Sequence, residues 1–300
     1  MTHLSDRAVA HLREVADWPE LPGDRYQVVA LIGEGGMGRV YRAHDRVLGR
    51  DVALKVLRPE LAGAAQVGDL QQEARILARL EHPGIVPVHD VGVLADGRIF
   101  SLMKLVRGQG LEQAIQELAL LARLRLFLKI AEAVAFAHAS GVVHRDLKPG
   151  NVMVGAFGEV LVLDWGLAAV QGALPEGGAA GTPGFMPPEQ RLGAPADARG
   201  DIYALGRLLG EMATVSGTEP PRPLRAIASR AAAAAPDARY PTVAALAADV
   251  TRFLDGEPVA AYDEPLLERL GRWYGKYQTA IVLILTYLIV RLIVAGWRGV

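Results

Sequence analysis

His144-Arg145-Asp146-Leu147-Lys148-Pro149-Gly150-Asn151 is the stretch on which the reading of this 300-residue chain turns. A carboxylate at Asp146 can accept or orient the proton of a substrate hydroxyl. Lys148, two residues on and so on the same side of an extended loop, can neutralise a phosphoryl group in transit. Asn151 offers a neutral oxygen to a divalent cation. Further along, Leu161-Val162-Leu163-Asp164-Trp165-Gly166 sets a second carboxylate at the end of an apolar strand pattern, beside a glycine. Either aspartate alone reads equally well as an ordinary turn residue. Together they make an oxygen-donor pair for a cation next to a base.

Toward the N-terminus, Val52-Ala53-Leu54-Lys55 places a lysine inside an apolar strand pattern, where an ammonium is expensive unless paired. Glu73 lies on the polar side of a helical pattern over 69–80, whose apolar face is Leu70, Ala74, Leu77 and Ala78, and is placed to pair with it. Before Lys55 comes Gly33-Glu34-Gly35-Gly36-Met37-Gly38-Arg39-Val40, a G-x-G-x-x-G-x-V run. Glycines let backbone N–H groups approach phosphates without an intervening Cβ. On its own the run fits a dinucleotide fold or an empty hairpin as well. A dinucleotide fold needs a helix next, whereas Val40-Tyr41-Arg42-Ala43 reads as a strand.

The wider pattern supports two lobes. Short apolar runs at 26–32, 38–43, 51–57, 86–93 and 98–105, broken by Gly and Asp96-Gly97 turns, predict an antiparallel sheet. After Gly108 the texture is helical: 111–139 with a break near Leu118–Leu121, then 200–214 and 242–255, with a loop over 172–200. The connection falls near 104–110.

The order of Gly-rich loop, strand lysine, helix glutamate, HRDLKPGN and DWG closely resembles the eukaryotic-like (Hanks-type) serine/threonine protein kinases, in their bacterial branch. The resemblance runs over roughly 26–256. It continues through Gly181-Thr182-Pro183-Gly184-Phe185-Met186-Pro187-Pro188-Glu189, through Asp201-Ile202-Tyr203-Ala204-Leu205-Gly206, and to Arg239 as the partner of Glu189. It implies an α+β bilobal fold, a β-rich N-lobe over 26–105 and a helical C-lobe over 106–256, with ATP and Mg²⁺ (or Mn²⁺) between them. Position by position it implies Asp146 as catalytic base, Lys148 on the phosphate, and Lys55 held by Glu73 toward the nucleotide. Asn151 and Asp164 would be metal ligands. Gly33, Glu34, Gly35, Gly36, Met37 and Gly38 would cover the phosphates. Val40, Ala53 and Met153 would sandwich the adenine, with Met103 behind it and Leu105 in the hinge. Protein substrates with Ser/Thr acceptors follow, with a nucleotide-binding pseudokinase or scaffold as the alternative.

Three departures stand out. Trp165 replaces the family's usual phenylalanine. Between Asp164 and Glu189 the single hydroxyl side chain is Thr182, which matches the substrate-facing threonine rather than a regulatory phosphosite. Yet Arg145, which commonly pairs with a phosphorylated loop in the family, is present. We therefore expect activation without loop phosphorylation, with Glu176 as the candidate counter-ion. The stretch after Thr214 is also shorter than the family's, where a substrate-docking helix usually lies.

Composition sets the remaining bounds. The absence of cysteine excludes disulfide scaffolds, thiolate nucleophiles and Cys-ligated metals. Lys+Arg 32 against Asp+Glu 33 gives a net charge of -1, which argues against a nucleic-acid partner. Arginine supplies all but five of the basic residues, and Lys55 and Lys148 are two of those five. Residues 1–25 are expected as an extension with a short amphipathic helix and no signal peptide. After a juxtamembrane linker over 257–276, residues 277–297 form an apolar stretch close to the ~20 residues that span a bilayer. Trp273, Tyr274, Tyr277 and Trp297 flank it as interfacial aromatics, and Arg269, Arg272 and Lys276 suit a cytoplasmic side. Arg291 interrupts it, so a helix packed on protein stays open beside a single-pass, tail-anchored protein in the cell membrane with its kinase domain cytoplasmic. A second copy of the chain is a further candidate partner.

Overall fold

The computed structural model describes residues 18–35, 38–58, 80–165, 168–173, 181–214, 217, 219–265, 269, 277–279 and 281–291. The expected N-terminal helix, Gly36, Met37, the 69–79 pattern with Glu73, and Glu176 lie outside the described residues.

Five antiparallel strands build the N-lobe: β1 (Tyr26–Gly35), β2 (Gly38–Asp45), β3 (Arg50–Leu57), β4 (Val88–Val93) and β5 (Ile99–Lys104), in the order β1-β2-β3-β5-β4. Residues of period two divide this sheet into two faces. Tyr41, Val52, Leu54, Val56, Phe100 and Leu102 share one face and are buried together, with Trp18 and Leu21 packed over them. Val40, Ala53, Lys55 and Met103 fall on the other face, since Val40 is opposite Lys55 and Ala53 opposite Met103. Gly33–Gly35 of the Gly-rich run end β1 and Gly38 begins β2, paired with Gly35, so the run leads into a strand. Gly38 is required there, because a Cβ would collide with the Val56 carbonyl. Asp45, fully buried, receives Arg25 through Nε (3.2 Å) and Nη2 (2.9 Å), which ties the residues before β1 to the sheet.

The C-lobe begins with a three-residue strand, β6 (Gly108–Gly110), and a single turn of helix, α1 (Leu111–Ala114). A break follows at 115–119, slightly before the expected Leu118–Leu121, and α2 (Leu120–Ala139) starts after it. β7 (Val142–Val143), β8 (Val152–Gly155), β9 (Val160–Val162) and β10 (Ala169–Val170) form two small sheets, β6-β8-β9 and β7-β10. The loop expected over 172–200 contains a short helix, α3 (Pro188–Arg191), before α4 (Ala198–Thr214), α5 (Arg222–Ala231) and α6 (Val243–Leu254). Leu124, Phe127, Ile130, Val134 and Ala137 recur at helical spacing on α2 and meet Ile202, Leu205, Leu208 and Leu209 of α4 in one core. The lobes are joined through 105–107 and by Ile85, which bridges to Val162.

Packing continues past residue 256 into the stretch expected as linker. Asp249 on α6 is fully buried and accepts four bonds. Arg252 Nη1 (2.8 Å) and Ala260 N–H (2.9 Å) reach Oδ1, while Tyr240 O–H (2.8 Å) and Ala261 N–H (3.1 Å) reach Oδ2. Val259 joins the C-lobe core.

Residues 277–279 and 281–291 are helical, and their apolar side chains are exposed, Leu283 by 65% and Tyr287 by 63%. Among the described residues no helix is long and apolar enough to cross a membrane. The span expected over 277–297 is not supported by these residues; 280 and 292–297 lie outside the described residues.

Candidate active site

The HRDLKPGN stretch lies between β7 and β8 and is held from below by α4. Asp201, in the first turn of that helix, is buried; its Oδ2 accepts from His138 Nε2 (2.8 Å) and the His144 N–H (2.8 Å), and its Oδ1 from the Arg145 N–H (2.9 Å). Burial pushes this carboxyl up, but His138 and His144 outweigh it and hold it below the usual carboxylate range. The bonds fix Arg145 at φ 69°, a left-handed conformation that costs a side-chain-bearing residue about 1–2 kcal/mol. Asp164 shares that conformation at φ 56°. Strained backbone at two loop residues that both face one cluster is a mark of a functional site.

The cluster is tightly bonded. Asp146 Oδ1 accepts from the Thr182 N–H (3.0 Å) and Oγ1 (2.8 Å), and Oδ2 from Lys148 Nζ (2.8 Å) and Asn151 Nδ2 (3.2 Å). Lys148 Nζ also reaches Thr182 Oγ1 at 2.7 Å. The Thr182 hydroxyl thus bonds both the base candidate and the lysine. Asn151 Nδ2 donates to the Asp146 carbonyl (2.8 Å) as well, so its amide oxygen remains the end that can face a cation.

Lys55 Nζ donates to Asp164 Oδ1, and both side chains are largely buried. The structure therefore brings the strand lysine onto the second carboxylate, while its expected partner Glu73 lies outside the described residues. Asp164 and Asn151 are hard oxygen donors, one charged and one neutral. That set suits Mg²⁺, which binds through one or two carboxylates and completes its shell with water and phosphate. Ala53 is buried, and Val40, Met103, Leu105 and Met153 are partly buried where the lobes meet.

Trp165 is buried against His144, ring centroids 4.5 Å apart, and its Nε1–H donates weakly to the Val162 carbonyl (3.4 Å). His144 in turn bonds the Leu163 carbonyl through Nε2 (3.0 Å), so the HRDLKPGN loop and the Asp164 strand end are fastened to one another. Beyond Thr182, Glu189 takes Arg239 Nη1 (2.5 Å) and Nη2 (2.8 Å), as the sequence pairing implies. Arg145 is half-buried, burial lowers its guanidinium from the ordinary range, and it has no ion pair among the described residues.

Sequence reasoning missed one contact at this site. Arg207 on α4 donates through Nε to the Gly184 carbonyl (3.0 Å). Helical spacing alone marks Arg207 as a solvated position, and no local signal reveals the loop opposite it.

A family model described as "Protein kinase domain" matches residues 26–234. Among curated relatives, a serine/threonine-protein kinase PknD of Protochlamydia amoebophila is 36% identical over 231 residues, covering 65% of this chain and 23% of that protein. PknD of Chlamydia caviae is 33% identical over 294 residues, covering 78% and 32%. The chain thus spans between about a quarter and a third of these relatives. Among solved structures, the Mycobacterium tuberculosis PknI kinase domain is similar at a TM-score of 0.63 and 30% identity, covering 77% of this chain and 97% of that one. The β-sheet N-lobe, the helical C-lobe and the sequence match agree, and the chain belongs to the protein kinase family.

Proposed function

We propose that this chain transfers the γ-phosphoryl group of ATP, with Mg²⁺, to Ser/Thr hydroxyls of protein substrates. The observation that carries the reading is the Asp146–Lys148–Thr182 cluster, in which carboxylate and ammonium are paired directly and one hydroxyl bonds both. In the reaction the acceptor oxygen bonds to the γ-phosphorus, the bond to the β,γ-bridging oxygen breaks, and Asp146 takes the hydroxyl proton. Lys148 stands beside that oxygen and offsets negative charge on the group in transit. Lys55 places a cation next to Asp164 at the mouth of the β3 strand, where nucleotide phosphates lie in this reading. Asn151 and Asp164 would hold the metal, which supplies charge neutralisation on the phosphates when bound. Val40, Ala53, Met103, Leu105 and Met153 would form the apolar slot for adenine. A pseudokinase reading is weaker, because no catalytic position is vacant and Asp146 is fully engaged with its neighbours.

The functional unit in this reading is residues 26–256 with the packed residues up to 262. Its apolar C-terminal segment, 277–297, tethers it to a membrane. The support is an exposed helix at 281–291 whose residues are apolar on every side apart from Thr286 and Arg291, an arrangement that water does not favour and lipid does. The basic Arg269, Arg272 and Lys276 precede it.

The deciding experiment incubates purified protein with Mg²⁺ and radiolabelled ATP beside Asp146→Asn. Transfer to a generic acceptor protein that the variant loses, with nucleotide binding retained, is the expected result. Nucleotide binding without turnover in the wild type would refute the enzymatic reading.

A further inference from the structure

α4 is a rigid rod in the C-lobe, with Ile202, Leu205, Leu208 and Leu209 essentially inaccessible. Asp201 in its first turn holds the backbone of His144 and Arg145. Six residues on, about 9 Å along the axis at 1.5 Å per residue, Arg207 bonds the Gly184 carbonyl. One helix therefore grips both the loop that carries Asp146 and the loop that carries Thr182.

The second loop is held from three directions. At one end the Thr182 N–H and hydroxyl sit on Asp146. On the inside, Phe185 packs on the C-lobe core, Met186 is buried, and both N–H groups close back on the Thr182 carbonyl (3.1 and 3.0 Å). The outer corner is Pro183-Gly184, exposed, with Gly184 at φ 105° and open space around it. A glycine in that conformation has the widest backbone freedom of any residue. Arg207 steadies it. The side chain is exposed, and Glu211 lies one turn on; burial pushes that carboxyl up while Arg207 opposes the shift. Among the described residues Arg207 and Glu211, on the outer face of α4, are exposed beside the loop.

We propose that Arg207 is a positioning residue for the acceptor peptide, an inference that rests on the phosphotransfer reading above. In the phosphotransfer reading a peptide whose hydroxyl reaches Asp146 lies beside Thr182, which sits on Asp146, and a loosened Gly184 corner would have to be ordered again each time a peptide binds. The residues assigned above to the nucleotide include neither Gly184 nor Arg207. The loss therefore falls on acceptor binding and spares nucleotide binding.

The test compares Arg207→Met, which keeps the apolar stem without the donor, with Arg207→Lys, which restores a donor. Steady-state rates are measured with Mg-ATP on a Ser/Thr peptide that the wild type selects from a positional library. Loss of one exposed bond should raise the peptide KM about fivefold in Arg207→Met, with kcat changed by less than about twofold. The ATP KM and thermal midpoint stay at wild-type values, and Arg207→Lys recovers part of the peptide KM. A wild-type peptide KM in Arg207→Met overturns the inference, and so does a parallel rise in both KM values with a lowered midpoint. A folded wild type that phosphorylates no library peptide overturns the phosphotransfer reading itself, and this inference with it.

Discussion

Asp201→Asn removes one charge and hardly any volume, and its consequences can be worked from three bonds. The carboxylate accepts from His138 and His144 on one oxygen and from Arg145 on the other, at 2.8–2.9 Å, in a fully buried position. An asparagine has one accepting oxygen and an amine that can only donate. In its better orientation the oxygen keeps His138 and His144, and the amine faces the Arg145 N–H, donor against donor. Leaving that buried N–H unsatisfied costs about 1–3 kcal/mol. The two surviving bonds drop from charge-assisted to neutral, a loss of about 1 kcal/mol each. The sum is about 3–5 kcal/mol, partly offset if Arg145 leaves φ 69° and sheds its strain of about 1–2 kcal/mol. That relaxation moves Asp146, the next residue. Urea denaturation should therefore show a loss of about 2–4 kcal/mol, and kcat should fall more than about tenfold, the rate equivalent of 1.4 kcal/mol. A loss under about 1 kcal/mol with unchanged kcat would refute the argument that Asp201 holds the catalytic loop.

Acid should destabilise the fold. The Asp45 carboxyl is held at about 2 by the Arg25 guanidinium, and those of Asp201 and Asp249 also lie below the usual range. A depressed carboxyl binds fewer protons folded than unfolded, so its contribution is complete above the ordinary value of about 3.9 and disappears as pH falls toward the folded value. Glu211, raised by burial, works in the opposite sense on its own. Thermal midpoints should change little from pH 7 to 5 and drop below about pH 4; a midpoint that rises on acidification contradicts the assignment. In cells or vesicles, the full chain should resist alkaline carbonate extraction through 277–297, and release of intact protein into the soluble fraction would remove the membrane tether.

The grouping of Asp146, Lys148 and Asn151 was legible because the chemistry proposed for them constrains residue type at each step: a carboxylate at 146, an ammonium at 148, an amide at 151. The five N-lobe strands were legible as short apolar runs between Gly and Asp-Gly turns, and the break between α1 and α2 was placed near Leu118–Leu121, a few residues beyond its position at 115–119. β9 was read from Leu161-Val162-Leu163, whereas β6, β7 and β10 were not legible, since two or three residues carry no period. Nor was the Lys55–Asp164 contact, because the pattern at 69–80 offered Glu73 as the nearer partner and nothing local ties residue 55 to residue 164. Arg207 shows the same limit. Its helix face follows from spacing, but the carbonyl it meets is set by how α4 lies beneath the loop.

The four bonds on Asp249 have a mechanical meaning. Residues 260 and 261 are pinned to α6 just before the chain departs toward its apolar helix, and Arg230 adds a long bond to the Ala260 carbonyl (3.4 Å) while stacking on the Tyr240 ring. A pull applied through the C-terminal helix is thus resisted by shearing several short bonds at once around one buried carboxylate, rather than by peeling α6 away from Leu254 a turn at a time. The catalytic domain would follow the motion of whatever holds that helix as a rigid load, with its cleft undisturbed.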